Sequence, residues 1–505
     1  MGSSLLTLTI FFPFLFGIPL LFFSREKDAL SKFYALAISL IVLAMSLTML
    51  LNFDGSQGAQ FQHVALEDWL GEEVDVKYVV GLDGLSALLF AFSAFVFPLT
   101  ILGTWTSVQR NVREHLFFLL ALETCVLGVF AALDLFLYYV FWEAMLIPMY
   151  FLIGIWGGEK RVFAATKFFV YMLSASLIML VGIIYVGIRG ADLNGGVFTT
   201  DYQKLTLLDL PFTIQAILFW LFAVAFLAKA PLFPLHSWLP EVYAQSPVSA
   251  VVTGVLLKMA TYALIRFNAG LFPQAAAHFS TLLAVLSAIS ILYGAAIAFA
   301  QKEMRLVLAY SSISHLGFLT LGIFAFTEEA MQGAILQMVN HGLSTGLLFL
   351  LAGFLYERRR SDRLSDYGGL KKAMPLGAMF FMIATLASVG LPGLNGFVGE
   401  FLILAGAFKS PVLHSGAFAA LSAIGVILSV VYMLPMFQKI FLGELKNDLN
   451  ANLKDLNLRE TIVATAFVVV IVWIGVAPNS FLKLSEKSVA TVIEKVQQNS
   501  SLSSR

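Results

Sequence analysis

An all-α polytopic membrane protein of about 14 transmembrane helices is the fold this sequence predicts, and three observations carry that reading. The chain is 59% hydrophobic and 12% charged, whereas soluble domains run about 45–50% apolar and about 25% charged. Its apolar residues, 47 phenylalanines among them, gather into uncharged runs of about 20 residues, the length that crosses a bilayer core as a helix. The basic residues, finally, segregate into alternate loops between those runs. The formal net charge is zero, so nothing points to nucleic acid.

The runs fall near 3–23, 33–52, 84–106, 115–132, 135–155, 166–188, 212–230, 247–268, 278–300, 305–326, 331–356, 374–405, 415–442 and 461–481. The first has neither a basic n-region nor a small-residue cleavage site and reads as a retained helix. MGSSLL resembles the start of a myristoylation motif, but a span beginning at once argues against lipidation. Loop 53–80 is acidic, with Asp54, Glu67, Asp68, Glu72, Glu73 and Asp75. Asp83, in GLDGLS, reads as the N-cap of the third helix, and Asp134 as a cap of the fifth. The seventh run is interrupted by prolines, and the twelfth contains GLPGLNG. Loop 357–373, ERRRSDRLSDYGGLKKA, is basic. The polar tail after about 482 predicts a short surface helix with a frayed end.

Charge placement tests the count. One set of alternating loops holds Arg25, Lys27, Lys32, Arg110, Arg113, Lys160, Arg161, Lys167, Lys302, Arg305, Arg358, Arg359, Arg360, Arg363, Lys371, Lys372, Lys439, Lys446, Lys454 and Arg459. The opposite loops hold only Lys77, Arg189, Lys204, Arg266 and Lys409. Cytoplasmic loops are enriched in Lys and Arg. The richer set therefore faces the cytoplasm, and both termini lie on the other side of a bacterial-type inner membrane.

A weak internal repeat divides the chain. Residues 1–114 hold three helices and the acidic loop, and 115–268 a first five-helix unit. Residues 278–442 hold a second such unit, and 443–505 the last span and the tail. Each five-helix unit contains a broken helix with a charge beside the break. Five is odd, so the units point in opposite directions, the inverted-repeat plan of many transporters.

The chemistry gathers at the breaks. In AVAFLAKAPLFPLHSWLPEVYAQ, Lys229 sits where a membrane helix should carry no charge, just ahead of Pro231, Pro234, His236 and Pro240. Pro231 frees the carbonyl of Leu227 and Pro234 that of Ala230. A helix broken at membrane depth must line protein or water, and intramembrane charges commonly mark ion or proton paths. Glu143, in LYYVFWEAMLIPMY, has no compensating charge nearby in sequence, and Pro148 frees the carbonyl of Ala144. Glu143 and Lys229 form either a structural ion pair or a two-state switch, and the cost of burying both favours the switch. Lys258 shares a helical face with Gly254, Thr261 and Tyr262. It relays protons or snorkels to an interface, and its depth favours the relay.

His315, with Ser311 and Ser312 on its face, and His341, with Gln337, Ser344 and Thr345, form polar stripes. Such stripes hold water and pass protons, or merely join helices. His236 is a relay or a brace for freed carbonyls. Glu400 follows the loosened backbone of Gly390, Pro392, Gly393 and Gly396, and is either a terminal proton-exchange group or a charge capping a half-helix. Glu123 has no role that the sequence assigns. The histidines lack the spaced partners of a metal site. One cysteine, Cys125, excludes an internal disulfide and a Cys-ligated cluster.

The stretches FWEAMLIPMYFLIGIWGG, AKAPLFPLHSWLPEVYAQSPVSA, LLKMATYALIRF, AYSSISHLGF and LASVGLPGLNGFVGEFLIL resemble the M-type antiporter-like subunits of NADH:quinone oxidoreductase, respiratory complex I, over about residues 80–440. The resemblance implies a proton channel in a membrane arm, with Glu143 and Lys229 as the coupling pair, Lys258 as central relay and Glu400 as exit group. It places His236, His315 and His341 within matching motifs, and leaves Glu123 outside the family pattern. It implies no cofactor in this chain: NADH, FMN, iron–sulfur clusters and quinone belong to partner subunits. Its implied neighbours are L-type and N-type antiporter-like subunits and lipid. L-type and Mrp-type subunits usually carry lysine where this chain has Glu400. The alternatives are a subunit of a multi-subunit cation/proton antiporter or membrane-bound hydrogenase, and a structural membrane scaffold.

Overall fold

A computed structural model describes residues 2–24, 26–71, 74–246, 249–445 and 448–502. Arg25, Glu72, Glu73 and Lys446, assigned above to the basic and acidic loops, lie outside the described residues. The chain is helical almost throughout. Helices α1 (Gly2–Gly17) and α2 (Asp28–Leu51) precede a hairpin of β1 (Gln62–Asp68) and β2 (Lys77–Leu82). Then come α3 (Ala87–Gly103), α4 (Val112–Ala131), α5 (Leu135–Ala144), α6 (Leu146–Trp156), α7 (Arg161–Gly190) and the single turn α8 (Tyr202–Leu205). The first break separates α9 (Phe212–Lys229) from α10 (Leu239–Gln245). Helix α11 (Ser249–Ala263) continues as a π-helical turn over Leu264–Ala269. Helices α12 (Pro273–Ala300), α13 (Met304–Phe324) and α14 (Glu328–Arg359) follow. The second break lies between α15 (Pro375–Ser388) and α16 (Asn395–Phe408). The chain ends with α17 (Ala417–Phe441), the turn α18 (Asp448–Ala451), α19 (Leu458–Val476) and α20 (Asn479–Leu502). Among the described residues, 11 helical stretches are long and apolar enough to cross a membrane by length and composition, with α5 and α6 joined as one. The protein is therefore a multi-pass membrane protein.

The helix starts follow local chemistry. Asp134 Oδ1 accepts from the amides of Phe136 and Leu137 at the head of α5. Asn457 and Glu460 make a reciprocal capping box at the head of α19, and Pro273 and Pro375 open α12 and α15, where a missing amide hydrogen costs nothing.

Hydrogen bonds sort the loops into two faces. On one, Lys204 Nζ and Lys77 Nζ lie 2.7 and 3.0 Å from Asp75, joining the hairpin to the loop after α7. Burial alone would raise the Asp75 carboxyl, but the hydrogen bonds from Lys204 and Lys77 pull it down to about 2. On the same face Ser488 Oγ donates to Gly58 O, and Lys495 Nζ to the carbonyls of Thr206 and Gly270. The opposite face is basic. There Lys32 Nζ reaches Trp105 O, Trp156 Nε1 reaches Arg110 O, and Arg305 lies 2.9 Å from Asp362. Arg358 pairs with Glu460 at 2.6 Å.

Three local expectations are corrected. The tail is not a short surface helix: α20 runs 24 residues along the hairpin face. It buries Val489, Ile493 and Val496, the i, i+4, i+7 stripe of an amphipathic helix. Within the acidic loop the chain pairs antiparallel, Ala65 opposite Val80 and Asp68 opposite Lys77. Arg266 is not a loop residue: it is buried in the π-helical turn and paired with Asp83 at 2.5 Å. Asp83 is not the N-cap of α3, which is Ser86; it closes the turn before that helix by accepting from the amides of Leu85 and Ser86.

Candidate functional site

Helix α9 ends at Lys229, two residues short of Pro231. Leu227 O, freed by that proline, accepts from Leu232 N at 3.1 Å, and Ala228 O from Trp238 Nε1 at 2.8 Å. Ser290 Oγ accepts from Phe233 N, so a serine on α12 braces the break. Lys229 is 1% exposed. Its Nζ lies 3.3 Å from the centroid of the Trp142 ring and 3.6 Å from Met145 Sδ. A desolvated cation over an indole face gains about 2 kcal/mol.

Glu143 sits between those two residues in sequence, at the junction of α5 and α6 that Pro148 interrupts. Its carboxylate feels the Lys229 charge and has Ser176 beside it. No ion pair within 4.0 Å joins Glu143 to Lys229, and Glu143 Oε1 has no hydrogen-bond partner. The pair therefore stands in its separated arrangement, with the lysine held by a ring and a thioether.

The other predicted residues form a chain across the middle of the molecule. Lys258 Nζ, fully buried on α11, lies 2.6 Å from His341 Nδ1 on α14. The His341 and His315 rings are 5.3 Å apart by centroid. His315 Nδ1, on α13, lies 3.1 Å from Glu400 Oε1 on α16. Gln337 Nε2 donates to the same oxygen at 3.2 Å, and Ser388 Oγ approaches His315 Nε2 at 3.4 Å. Glu400 is eight residues from the last residue of α16, about 12 Å below the hairpin face at about 1.5 Å per residue. A lysine, two imidazoles and a carboxylate in this order can hand a proton sideways from one half of the molecule to the other.

Some expectations are revised here. The hydroxyls of Ser311 and Ser312 both donate to Leu308 O, and that of Ser344 donates to Asn340 O, so they satisfy their own helices and leave the imidazoles to other partners. Glu400 does not cap its half-helix: it is the sixth residue of α16 and points to His315 and Gln337. His236 stands apart from the chain, its Nε2 3.2 Å from Tyr293 Oη on α12. Glu123 is buried between α4 and α2, where Ser39 Oγ lies 3.1 and 3.0 Å from its two oxygens. The sequence missed Trp142 and Met145 as partners of Lys229, and it put Gln337 on the His341 stripe without its bond to Glu400. It also missed Asn340, whose side chain donates to Asn395 O at 2.8 Å and ties α14 to the second break.

That break repeats the logic of the first. Leu391 N reaches back to Leu386 O at 3.0 Å, as Leu232 N reaches Leu227 O. Gly390 adopts φ +73° and Gly393 φ +91°, backbone that L-residues rarely take. A methyl group on Gly390 would lie 2.9 Å from Glu400 Oε2, whereas one on Gly393 would meet nothing within 4 Å. Both substitutions carry a backbone penalty of about 1–2 kcal/mol. Gly390→Ala should therefore impair proton transfer beyond Gly393→Ala at matched assembly. Equal translocation by the two variants would show that the glycine does not serve the carboxylate.

A family model described as NADH:quinone oxidoreductase/Mrp antiporter, TM, matches residues 132–429. The chain is 36% identical to NADH-quinone oxidoreductase subunit M of Rickettsia bellii (strain RML369-C), over 97% of this chain and 99% of that one. It is 37% identical to the protein of that name from Rhodobacter capsulatus, over 97% of each chain. Its fold is similar to a chain in the solved structure of respiratory complex I from Thermus thermophilus with bound NADH. The TM-score is 0.87 at 34% identity, covering 97% of this chain and 99% of that chain.

Proposed function

The chain belongs to the NADH:quinone oxidoreductase/Mrp antiporter transmembrane family, and from that premise we propose that it carries protons as a membrane-arm subunit of a proton-translocating NADH:quinone oxidoreductase. One observation carries the reading: Lys258, His341, His315 and Glu400, drawn from four helices, lie in consecutive buried contacts that cross the molecule. A purely architectural protein gains little from such a line, because intramembrane charges are costly.

The mechanism is electrostatic. A change at the quinone end alters the field at Glu143 and Lys229. When Glu143 approaches Lys229, the ammonium moves off the Trp142 ring into an ion pair; when it withdraws, the lysine returns to the ring. A charge pair about 4 Å apart at an effective dielectric near 20 is worth about 4 kcal/mol, and moving one charge against 100 mV costs about 2.3 kcal/mol. Forming or breaking the pair is thus large enough to drive one proton from Lys258 through the imidazoles to Glu400. Redox chemistry belongs to partner subunits, which hold the NADH site, flavin, iron–sulfur clusters and quinone; this chain's own residues hold and pass protons. L-type and N-type antiporter-like subunits are its neighbours in the arm.

The basic face lies toward the cytoplasm and the hairpin face away from it, which puts both termini outside. Two inverted five-helix units, 115–268 and 278–442, form the channel. The α9 segment reaches its break from the hairpin face and α15 reaches its break from the basic face, which supports the inversion.

Lys229→Ala, in membranes containing the assembled complex, should lower NADH oxidation and proton translocation together by several-fold. If both persist at normal assembly, the first break is architecture; if only assembly suffers, the charges serve as a scaffold.

A further inference from the structure

A second buried charge pair lies on the helix that carries Lys258. Lys258, Tyr262 and Arg266 are spaced four apart along one face of α11 and its π-helical continuation. The Arg266 guanidinium is 2.5 Å from Asp83 Oδ1, with the two side chains 4% and 3% exposed. That same oxygen accepts from the amides of Leu85 and Ser86. Arg266 Nε donates to Tyr262 Oη at 3.0 Å. The rings of Phe61, Tyr202 and Tyr262 stand 5.2, 5.4 and 5.3 Å from the guanidinium carbon. Above the pair, on the hairpin face, is a cleft of about 400 Å³ lined by Phe61, Asp83, Tyr202, Arg266, Ser488 and Lys495. Helix α20 forms one of its walls, and the cleft ends on the pair.

We infer that Arg266, neutralised by Asp83 and ringed by Phe61, Tyr202 and Tyr262, seals the hairpin face so that protons at Lys258 leave only through His341, His315 and Glu400. Geometry and side-chain chemistry support this together. The cleft reaches Arg266, about two turns along the helix from Lys258, and a route along α11 would bypass the lateral chain. The salt bridge to Asp83 fixes Arg266 at the floor of the cleft. A guanidinium keeps its proton at any working pH and therefore cannot relay one, whereas an ammonium can. The rings of Phe61, Tyr202 and Tyr262 surround it with apolar faces. Arg266 sits in the π-helical turn, and such turns recur at functional sites. The inference rests on the reading of Lys258 as the central relay, and the two fail in different assays. A wrong relay shows as normal pumping after loss of Lys258; a wrong seal shows in unpowered membranes.

The test is passive proton conductance of vesicles containing the assembled complex, measured without NADH by an acid pulse in the presence of valinomycin and potassium. Arg266→Lys keeps the charge beside Asp83, so it preserves assembly while replacing a group that cannot exchange protons with one that can. The double variant Asp83→Asn with Arg266→Gln removes both charges and strands neither. Each should raise the proton leak by about tenfold, roughly one log unit off the permeation barrier, and lower the protons translocated per NADH. Adding Lys258→Met to Arg266→Lys should return the leak to the wild-type level. Wild-type conductance in Arg266→Lys would overturn the seal, whatever the double variant does. A leak that persists after Lys258→Met would also overturn it, because the escaping protons would not have come by Lys258.

Discussion

Lys258→Met should abolish proton translocation through this subunit and slow NADH oxidation by the intact complex by about tenfold or more, a change of about 1.4 kcal/mol or more in the limiting barrier. Lys258 Nζ is the partner of His341 Nδ1 at 2.6 Å, and the side chain is fully buried. Methionine fills most of the same space and adapts to irregular gaps. What it cannot do is hold a proton, so the line from α11 to α14 is cut at its first member. The orphaned His341 nitrogen costs about 1–3 kcal/mol as an unpaired buried polar group. Assembly must therefore be measured alongside rate, by the amount of complex retained on native gels. Normal pumping at normal assembly would remove Lys258 from the path and leave the histidines as helix-joining groups.

Glu143→Gln is the second large effect, and it should exceed that of Lys229→Ala. The asymmetry follows from burial. Glu143 is half-buried, with Ser176 beside its carboxylate, so it retains some solvation when Lys229 is removed. Lys229 is buried against the Trp142 ring and Met145 Sδ, and the opposite charge that acts on it is the Glu143 carboxylate. Losing that carboxylate leaves a lysine whose charged form is answered only by an indole face and a thioether. Switching between paired and separated arrangements then stops. Coupled NADH oxidation and proton translocation should both fall about tenfold, whereas a ferricyanide-linked NADH dehydrogenase activity, which reports only the redox partners, should be unchanged. Unchanged protons per NADH in this variant would sink the electrostatic switch. Restoration by Glu143→Asp, whose carboxylate is one carbon shorter, would further indicate that charge and not packing is the property required.

Much of the site was legible in the chain because membranes penalise buried charge so heavily. Glu143, Lys229, Lys258 and Glu400 stood out as charges in apolar runs, and the prolines and glycines beside them marked the breaks. The hydroxyl stripes misled, because a serine in an apolar helix satisfies itself on the carbonyl three or four residues back. Ser311 and Ser312 do this on Leu308. Arg266 was misplaced because it lies near the end of an apolar run, where a loop arginine and a buried one look alike until a partner is known. Asp83 is that partner, 183 residues away in sequence.

The sequence by itself determined that the chain is a multi-pass helical membrane protein and which side chains are expensive to bury. Those properties follow from local composition: a run of about 20 uncharged residues has one stable answer in lipid, and a charge inside such a run is costly whatever its neighbours. Tertiary structure alone decided which of the expensive groups meet. Lys258 finds His341, His315 finds Glu400 and Arg266 finds Asp83, while Lys229 rests on Trp142 and not on Glu143. Each contact joins segments far apart in the chain, and its partner is chosen by how those segments pack, which no local pattern of residues encodes.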